Sequence, residues 1–138
     1  MSRLIIGTES PPTKETLAVL DAGLDAYNAK FAPEHFEEFA TTLKLPSGEV
    51  KGGIYAIVWA EMLFIKWLWI DEAHRRGGHG RALMAAAEAE GRQRGCKAVW
   101  LDTFEFQARP FYEKLGYELF GTLDYPLVFK RYFLKKAL

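Results

Sequence analysis

Between the apolar run ending at Ile70 and the helical stretch beginning near Ala82, the chain reads Asp71-Glu72-Ala73-His74-Arg75-Arg76-Gly77-Gly78-His79-Gly80-Arg81. Three arginines bracket three glycines over seven residues. Glycines let a backbone turn tightly and approach a ligand closely, and the free amides at a helix start carry the positive end of its dipole. Arg75, Arg76 and Arg81 add guanidinium donors suited to phosphate. Such a segment can do more than turn the chain: it has the composition of a cradle for an anion the size of a diphosphate. Two common phosphate devices do not fit. No lysine followed by serine or threonine comes after the glycines, as a P-loop requires, and the G-x-G-x-x-G pattern of dinucleotide folds is absent.

Other reactive side chains are sparse. The one cysteine, Cys96, has no recognisable histidine partner around it and reads as a small buried filler. No internal disulfide can form, and no metal site is expected. The 18 basic and 18 acidic residues cancel, so no net field argues for nucleic acid or an anionic membrane. Met1 to Ile6 is too short an apolar run for a secretion signal or a span. A cytoplasmic location is the expectation.

These residues must be held by a scaffold, and the hydrophobic pattern describes one. At 138 residues, 49% of them hydrophobic, the chain suits one domain over residues 1–138. Leu4 to Gly7 reads as a short opening strand. Leu17, Leu20, Leu24, Tyr27 and Phe31 then fall on one stripe of a helix running to about Ala32, before Pro33. From Phe39 the period changes to two, and the turn Pro46-Ser47-Gly48-Glu49 joins this strand to another at Val50 to Val58 as a hairpin. Met62 to Ile70 is apolar at eight of nine positions, the pattern of a central strand covered on both faces. A helix opens near Gly78 and ends at Gly95, with Leu83, Met84 and Ala87 inward and the pairs Glu88/Arg92 and Glu90/Arg94 on a solvated face. A strand at Lys97 to Thr103, a two-turn helix from Pro110 to Gly116, and strands at Tyr117 to Leu123 and Val128 to Leu134 complete the order β-α-β-β-β-α-β-α-β-β. The fold class is α/β: a mostly antiparallel mixed sheet of six or seven strands with helices on its faces.

Arg75-x-x-Gly78-x-Gly80 resembles the R/Q-x-x-G-x-G/A signature of the GNAT superfamily of N-acetyltransferases, with Trp67-Leu68-Trp69-Ile70 in the place of its preceding strand. Phe111-Tyr112-Glu113-Lys114-Leu115-Gly116-Tyr117 resembles the family's second signature, (F/L)-Y-x-x-x-G-(F/Y). The resemblance covers roughly residues 50 to 135. It implies an acetyl-CoA-dependent acyltransferase. The amides of Arg76, Gly77, Gly78, His79, Gly80 and Arg81, with Arg75, would hold the coenzyme A pyrophosphate. The backbone of Leu68, Trp69 and Ile70 would pair with the pantetheine arm, and an amide near Trp69 or Ile70 would face the thioester oxygen. Phe111 and Gln107 are expected beside the cofactor. Gln107 would stand in for a family asparagine whose place, counted from the helix, is taken by Glu105.

The same resemblance makes Tyr112 the acid for the departing thiolate. A base must take a proton from the acceptor ammonium: Glu105 is the first choice, with Glu61, Asp102 and His74 as alternatives. The implied acceptor is a small amine, with walls drawn from Tyr27, Phe31, His35, Phe36, Trp69, Tyr125, Glu37 and Glu38, and with a protein amine as the other possibility. A catalytically silent coenzyme A sensor would keep the arginine-glycine turn without an acid, and a pure interaction module would need neither. The oligomeric state is left open: the last hairpin, with Phe120, Tyr125, Phe129, Tyr132 and Phe133, could supply a homodimer interface, although core packing explains most such residues.

Overall fold

The computed structural model describes residues 2–33, 35–126 and 128–138. The chain falls into two compact units, one ending before His35 and one from His35 to Leu138. The first unit holds helix α1, Lys14–Asn28. Thr13 caps it, its hydroxyl accepting from the Thr16 N–H at 3.1 Å, while the Glu9 carboxylate accepts from the Thr13 N–H and the Thr16 hydroxyl. These bonds favour the ionised carboxylate and hold the Glu9 pKa below its usual value. Leu17, Leu20, Leu24 and Tyr27 form the expected stripe, each more than half exposed. The helix ends earlier than the stripe suggests. Pro33 disfavours helical backbone at Ala32, and the chain tightens into a turn in which the Phe31 N–H donates to the Asn28 carbonyl at 2.9 Å. Leu4 to Gly7 is not a strand: Leu4, Ile5 and Ile6 are at least 86% exposed and have no ladder partner among the described residues. An apolar run forms a strand only where another edge receives it.

The second unit is built on six strands: β1 Glu37–Lys44, β2 Val50–Trp59, β3 Met62–Ile70, β4 Ala98–Phe104, β5 Glu118–Asp124 and β6 Lys130–Ala137. Their order across the sheet is β1-β2-β3-β4-β6-β5. Only β3 and β4 run parallel. Their connection is helix α2, His79–Gln93, as a parallel crossover requires. Helix α3, Arg109–Lys114, joins β4 to β5.

One face of the sheet is the core. Ile54, Ala56, Leu63, Ile65, Val99, Leu101 and Leu134 alternate along their strands and close over Leu83, Met84 and Ala87 of α2. Fully burying such a side chain contributes about 1.5–3 kcal/mol, so this seam fixes both the register and the seat of α2. Glu88 departs from the expected solvated face: it is 5% exposed. It accepts from the Tyr117 hydroxyl at 2.7 Å and from the Lys136 ammonium at 2.8 Å, with Arg92 at 3.9 Å. A buried carboxylate is tolerated when its lone pairs are filled in this way. Cys96 is buried and free, and desolvation raises its thiol pKa, which leaves it a poor nucleophile.

Candidate active site

Strands β3 and β4 pair only over Met62↔Ala98 to Ile65↔Leu101. Beyond those residues they part. The outer limb of β3 stays paired with β2 and the outer limb of β4 with β6, so each side of the fork is held from behind. The split coincides with a register shift: Ala56 faces Ile65 while Tyr55 faces Trp67, leaving Lys66 as the extra residue. A bulge bends its strand and re-aims its side chains. Consequently β3 is not covered on both faces as its composition suggests, for Lys66, Trp67 and Trp69 are exposed.

The fork opens a cleft of about 1040 Å³. The residues lining it include Lys66 to Ile70, most of the arginine-glycine turn, Asp102 to Phe104, Gln107, Phe111, Tyr112 and Arg131. Two sequence motifs some 30 residues apart are thus brought to one cavity by the parallel pairing of β3 and β4.

At the turn, Gly78 caps α2 with φ +80°, a conformation that glycine adopts at no steric cost. A Cβ built there would meet nothing within 4 Å, so the space in front of this backbone is open. The first helical bond is from the Ala82 N–H to the Gly78 carbonyl at 3.1 Å, and the amides of His79, Gly80 and Arg81 precede it. Arg75 turns back, its Nε donating to the Ile70 carbonyl at 2.9 Å, which ties the turn to the end of β3. Arg76 takes φ +67°, and both it and Arg81 line the cleft. Gly77 is not among the lining residues and instead lies under the His79 ring.

Helix α3 presents the second motif. Pro110 stands in its first turn. Phe111 packs on Gly80, and Tyr112 is 8% exposed yet lines the cleft. No hydrogen bond to the Tyr112 hydroxyl occurs among the described residues, and it is not a buried orphan either. Burial pushes its pKa up to about 12, with the Asp102 carboxylate adding to the rise. The phenol is a proton donor that nothing within the described residues has claimed. Tyr117, the last residue of the motif, is spent differently: its hydroxyl is bonded to Glu88, and burial followed by that bond raises its pKa strongly.

Gln107 closes the turn after β4, its Oε1 accepting from the Phe104 N–H at 2.7 Å and the Thr103 hydroxyl at 3.2 Å. Its amide nitrogen has no acceptor among the described residues, and Gln107 lines the cleft. Glu105 lies off the cleft lining, exposed, with its carboxylate accepting from the Tyr132 hydroxyl at 3.4 Å. Glu61 is an exposed turn residue with φ +63°. His74 lines the cleft with Nδ1 at 3.3 Å from Asp71 Oδ2. Of the residues expected to wall the acceptor, Trp69 lines the cleft, while His35, Phe36, Glu37, Glu38 and Tyr125 do not. Tyr27 and Phe31 belong to the first unit.

Two lining cations escaped the sequence reading, Lys66 and Arg131. Lys66 looked like a blemish in an apolar strand and is the bulge residue. Arg131 has no local signal, because only the β4–β6 register brings it to Asp102: Arg131 Nε and Nη2 stand 3.1 and 3.0 Å from Asp102 Oδ1.

Comparison with known proteins agrees with this geometry. The model of the GNAT acetyltransferase family matches residues 13–117. A blasticidin-S acetyltransferase of Streptomyces morookaense is 36% identical over 104 residues, 74% of this chain and 76% of that protein. The crystal structure of an acetyltransferase from Bacillus cereus superposes with a TM-score of 0.86 at 28% identity, over 99% of this chain and 98% of that one. An aminoglycoside 6'-N-acetyltransferase crystallised with coenzyme A shares the fold at 20% identity, with a TM-score of 0.65 over 73% of each chain.

Proposed function

The chain belongs to the GNAT acetyltransferase family, and from that premise we propose that it moves the acetyl group of acetyl-CoA onto the primary amine of a small molecule. The observation that carries this reading is the fork itself: an open glycine cradle at one end, a strand limb free to pair along its length, and an unclaimed phenol beside the point where the strands part.

The pyrophosphate is assigned to the amides of His79, Gly80 and Arg81, with Arg76 and Arg81 supplying charge. Gly78 keeps the approach clear. The pantetheine arm extends along Leu68 to Ile70 as an added strand toward the vertex, with the Gln107 amide as a donor beside it. The thioester then reaches the region of Lys66 to Leu68, where the bulge frees backbone amides for its carbonyl oxygen.

Reaction begins when the acceptor ammonium has lost a proton to water. The amine lone pair attacks the thioester carbon, the carbonyl π pair moves onto oxygen, and the nitrogen sheds its surplus proton to water. Collapse reforms the carbonyl, breaks the C–S bond and releases the thiolate. Tyr112 donates a hydrogen bond to the departing sulfur. Burial raises the phenol to about 12, above an ordinary thiol, so complete transfer of its proton to the thiolate is uphill. Tyr112 therefore acts by stabilising the thiolate, which takes its proton finally from water.

The acceptor class is supported by the relative named for blasticidin S. The test is thiol release from acetyl-CoA against a panel of small amines, blasticidin S included, beside peptides with free N-termini. Turnover of a small amine is the expected result. Turnover of peptides alone would overturn the acceptor class, and no turnover of any amine would overturn the enzymatic reading.

A further inference from the structure

Resting on that reaction, we propose that Asp102 is the residue that binds the acceptor, holding its ammonium group at the vertex of the fork on the side of the sheet opposite the core. Strand β4 alternates: Val99, Leu101 and Thr103 are buried in the core, so Trp100, Asp102 and Phe104 point to the other face. Leu101 is the last residue of β4 paired with β3. Asp102 is thus the first residue on the β4 limb of the cleft, level with the bulge at Lys66 on the β3 limb.

Among the described residues lining the cleft, Asp102 is the only carboxylate, against Lys66, Arg75, Arg76, Arg81 and Arg131. An ammonium entering this cleft has one anionic partner. Arg131 does not exhaust it, because both of its contacts go to Oδ1 and leave Oδ2 with its lone pairs open. The guanidinium is itself fixed, 5.5 Å from the Phe104 ring centroid and 5.2 Å from that of Phe133. Arg131 thereby pins the carboxylate in one orientation, while Phe104 supplies an apolar wall for the carbon chain of the amine. Tyr112 lines the same cleft, and the Asp102 charge contributes to raising its pKa, so the ammonium site and the phenol share one cavity. Asp102 binds the ammonium and releases it as free amine once water has taken the proton.

The experiment compares wild type with Asp102→Asn using two acceptors, butylamine, which enters as a cation, and aniline, which enters neutral. In the variant KM for butylamine should rise at least tenfold, with KM for aniline and for acetyl-CoA within twofold. An equal rise for both amines would mean that Asp102 merely supports the fold, and an unchanged KM for butylamine would also overturn the proposal. If the wild type acetylates neither amine, the proposed reaction fails, but the inference is still decided by titrating butylammonium into the coenzyme A-loaded proteins. Binding lost at least tenfold in Asp102→Asn supports it; equal binding, or none to either protein, overturns it.

Discussion

Phe111 Cζ lies 3.2 Å from the place a Cβ on Gly80 would occupy, so the helix that follows the arginine-glycine turn and the helix that carries Tyr112 meet at a position sized for a hydrogen atom. Gly80→Ala should push the Phe111 ring aside. The methyl adds helix propensity, up to about 1 kcal/mol, which offsets the crowding, so folding stability should change by less than about 1 kcal/mol. Acetyl-CoA affinity should fall about tenfold, about 1.4 kcal/mol, because the displaced ring and the methyl both intrude on the cradle. Thermal melting and calorimetric titration with acetyl-CoA separate the two effects.

Tyr112→Phe removes one hydroxyl that has no protein partner among the described residues. The fold should not suffer. The turnover number should drop about a hundredfold, the upper range for a hydrogen bond to a charged group at about 3 kcal/mol, with KM for acetyl-CoA within about twofold. Steady-state kinetics in both substrates would check this split, and an unchanged turnover number would remove Tyr112 from the chemistry.

The raised phenol of Tyr112 has a consequence for stability. Its folded pKa of about 12 lies above the ordinary value of 10.0. Below pH 10 both folded and unfolded chains keep the proton, and nothing is lost. Between about pH 10 and 12 the unfolded tyrosine ionises while the folded one does not, so the unfolded chain binds fewer protons and stability falls as pH rises. The loss should reach about 1 kcal/mol by pH 11. Urea unfolding at about pH 9 and pH 11 should show a smaller decline in Tyr112→Phe than in wild type.

Glu88 is a structural carboxylate by the same reasoning. Glu88→Ala strands the Tyr117 hydroxyl and the Lys136 ammonium, one buried and one partly buried. The expected cost is about 2–3 kcal/mol, the desolvation of unpaired groups discounted for the part of Lys136 that water reaches. Denaturant midpoints measure it, and Glu88→Gln, which keeps an acceptor for Tyr117, should recover part of the loss.

Much of the candidate site's geometry was legible because its information is local. Gly78 and Gly80 follow Ile70 within ten residues, and Tyr112 sits in a two-turn helix marked by Pro110 and Gly116. Strand β3 was placed to the residue because a nine-residue apolar run between turn signals leaves little choice. What escaped is non-local. Glu88 reads as one half of an exposed pair until Tyr117 and Lys136 come to it from 29 and 48 residues away. Asp102 and Arg131 meet only through the β4–β6 register. The Leu4 to Gly7 run has strand composition but joins no ladder among the described residues, and composition carries no record of partners.

The most direct test of the account follows the acetyl group in a single turnover, with acetyl-CoA, enzyme and a small amine in equal amounts and mass spectrometry of all three. One acetylated amine should appear for each free thiol, with no thiol released when the amine is omitted and no acetyl group on the protein. Thiol release without an acetylated amine, or an acetylated protein as the product, would contradict direct transfer within the fork between β3 and β4.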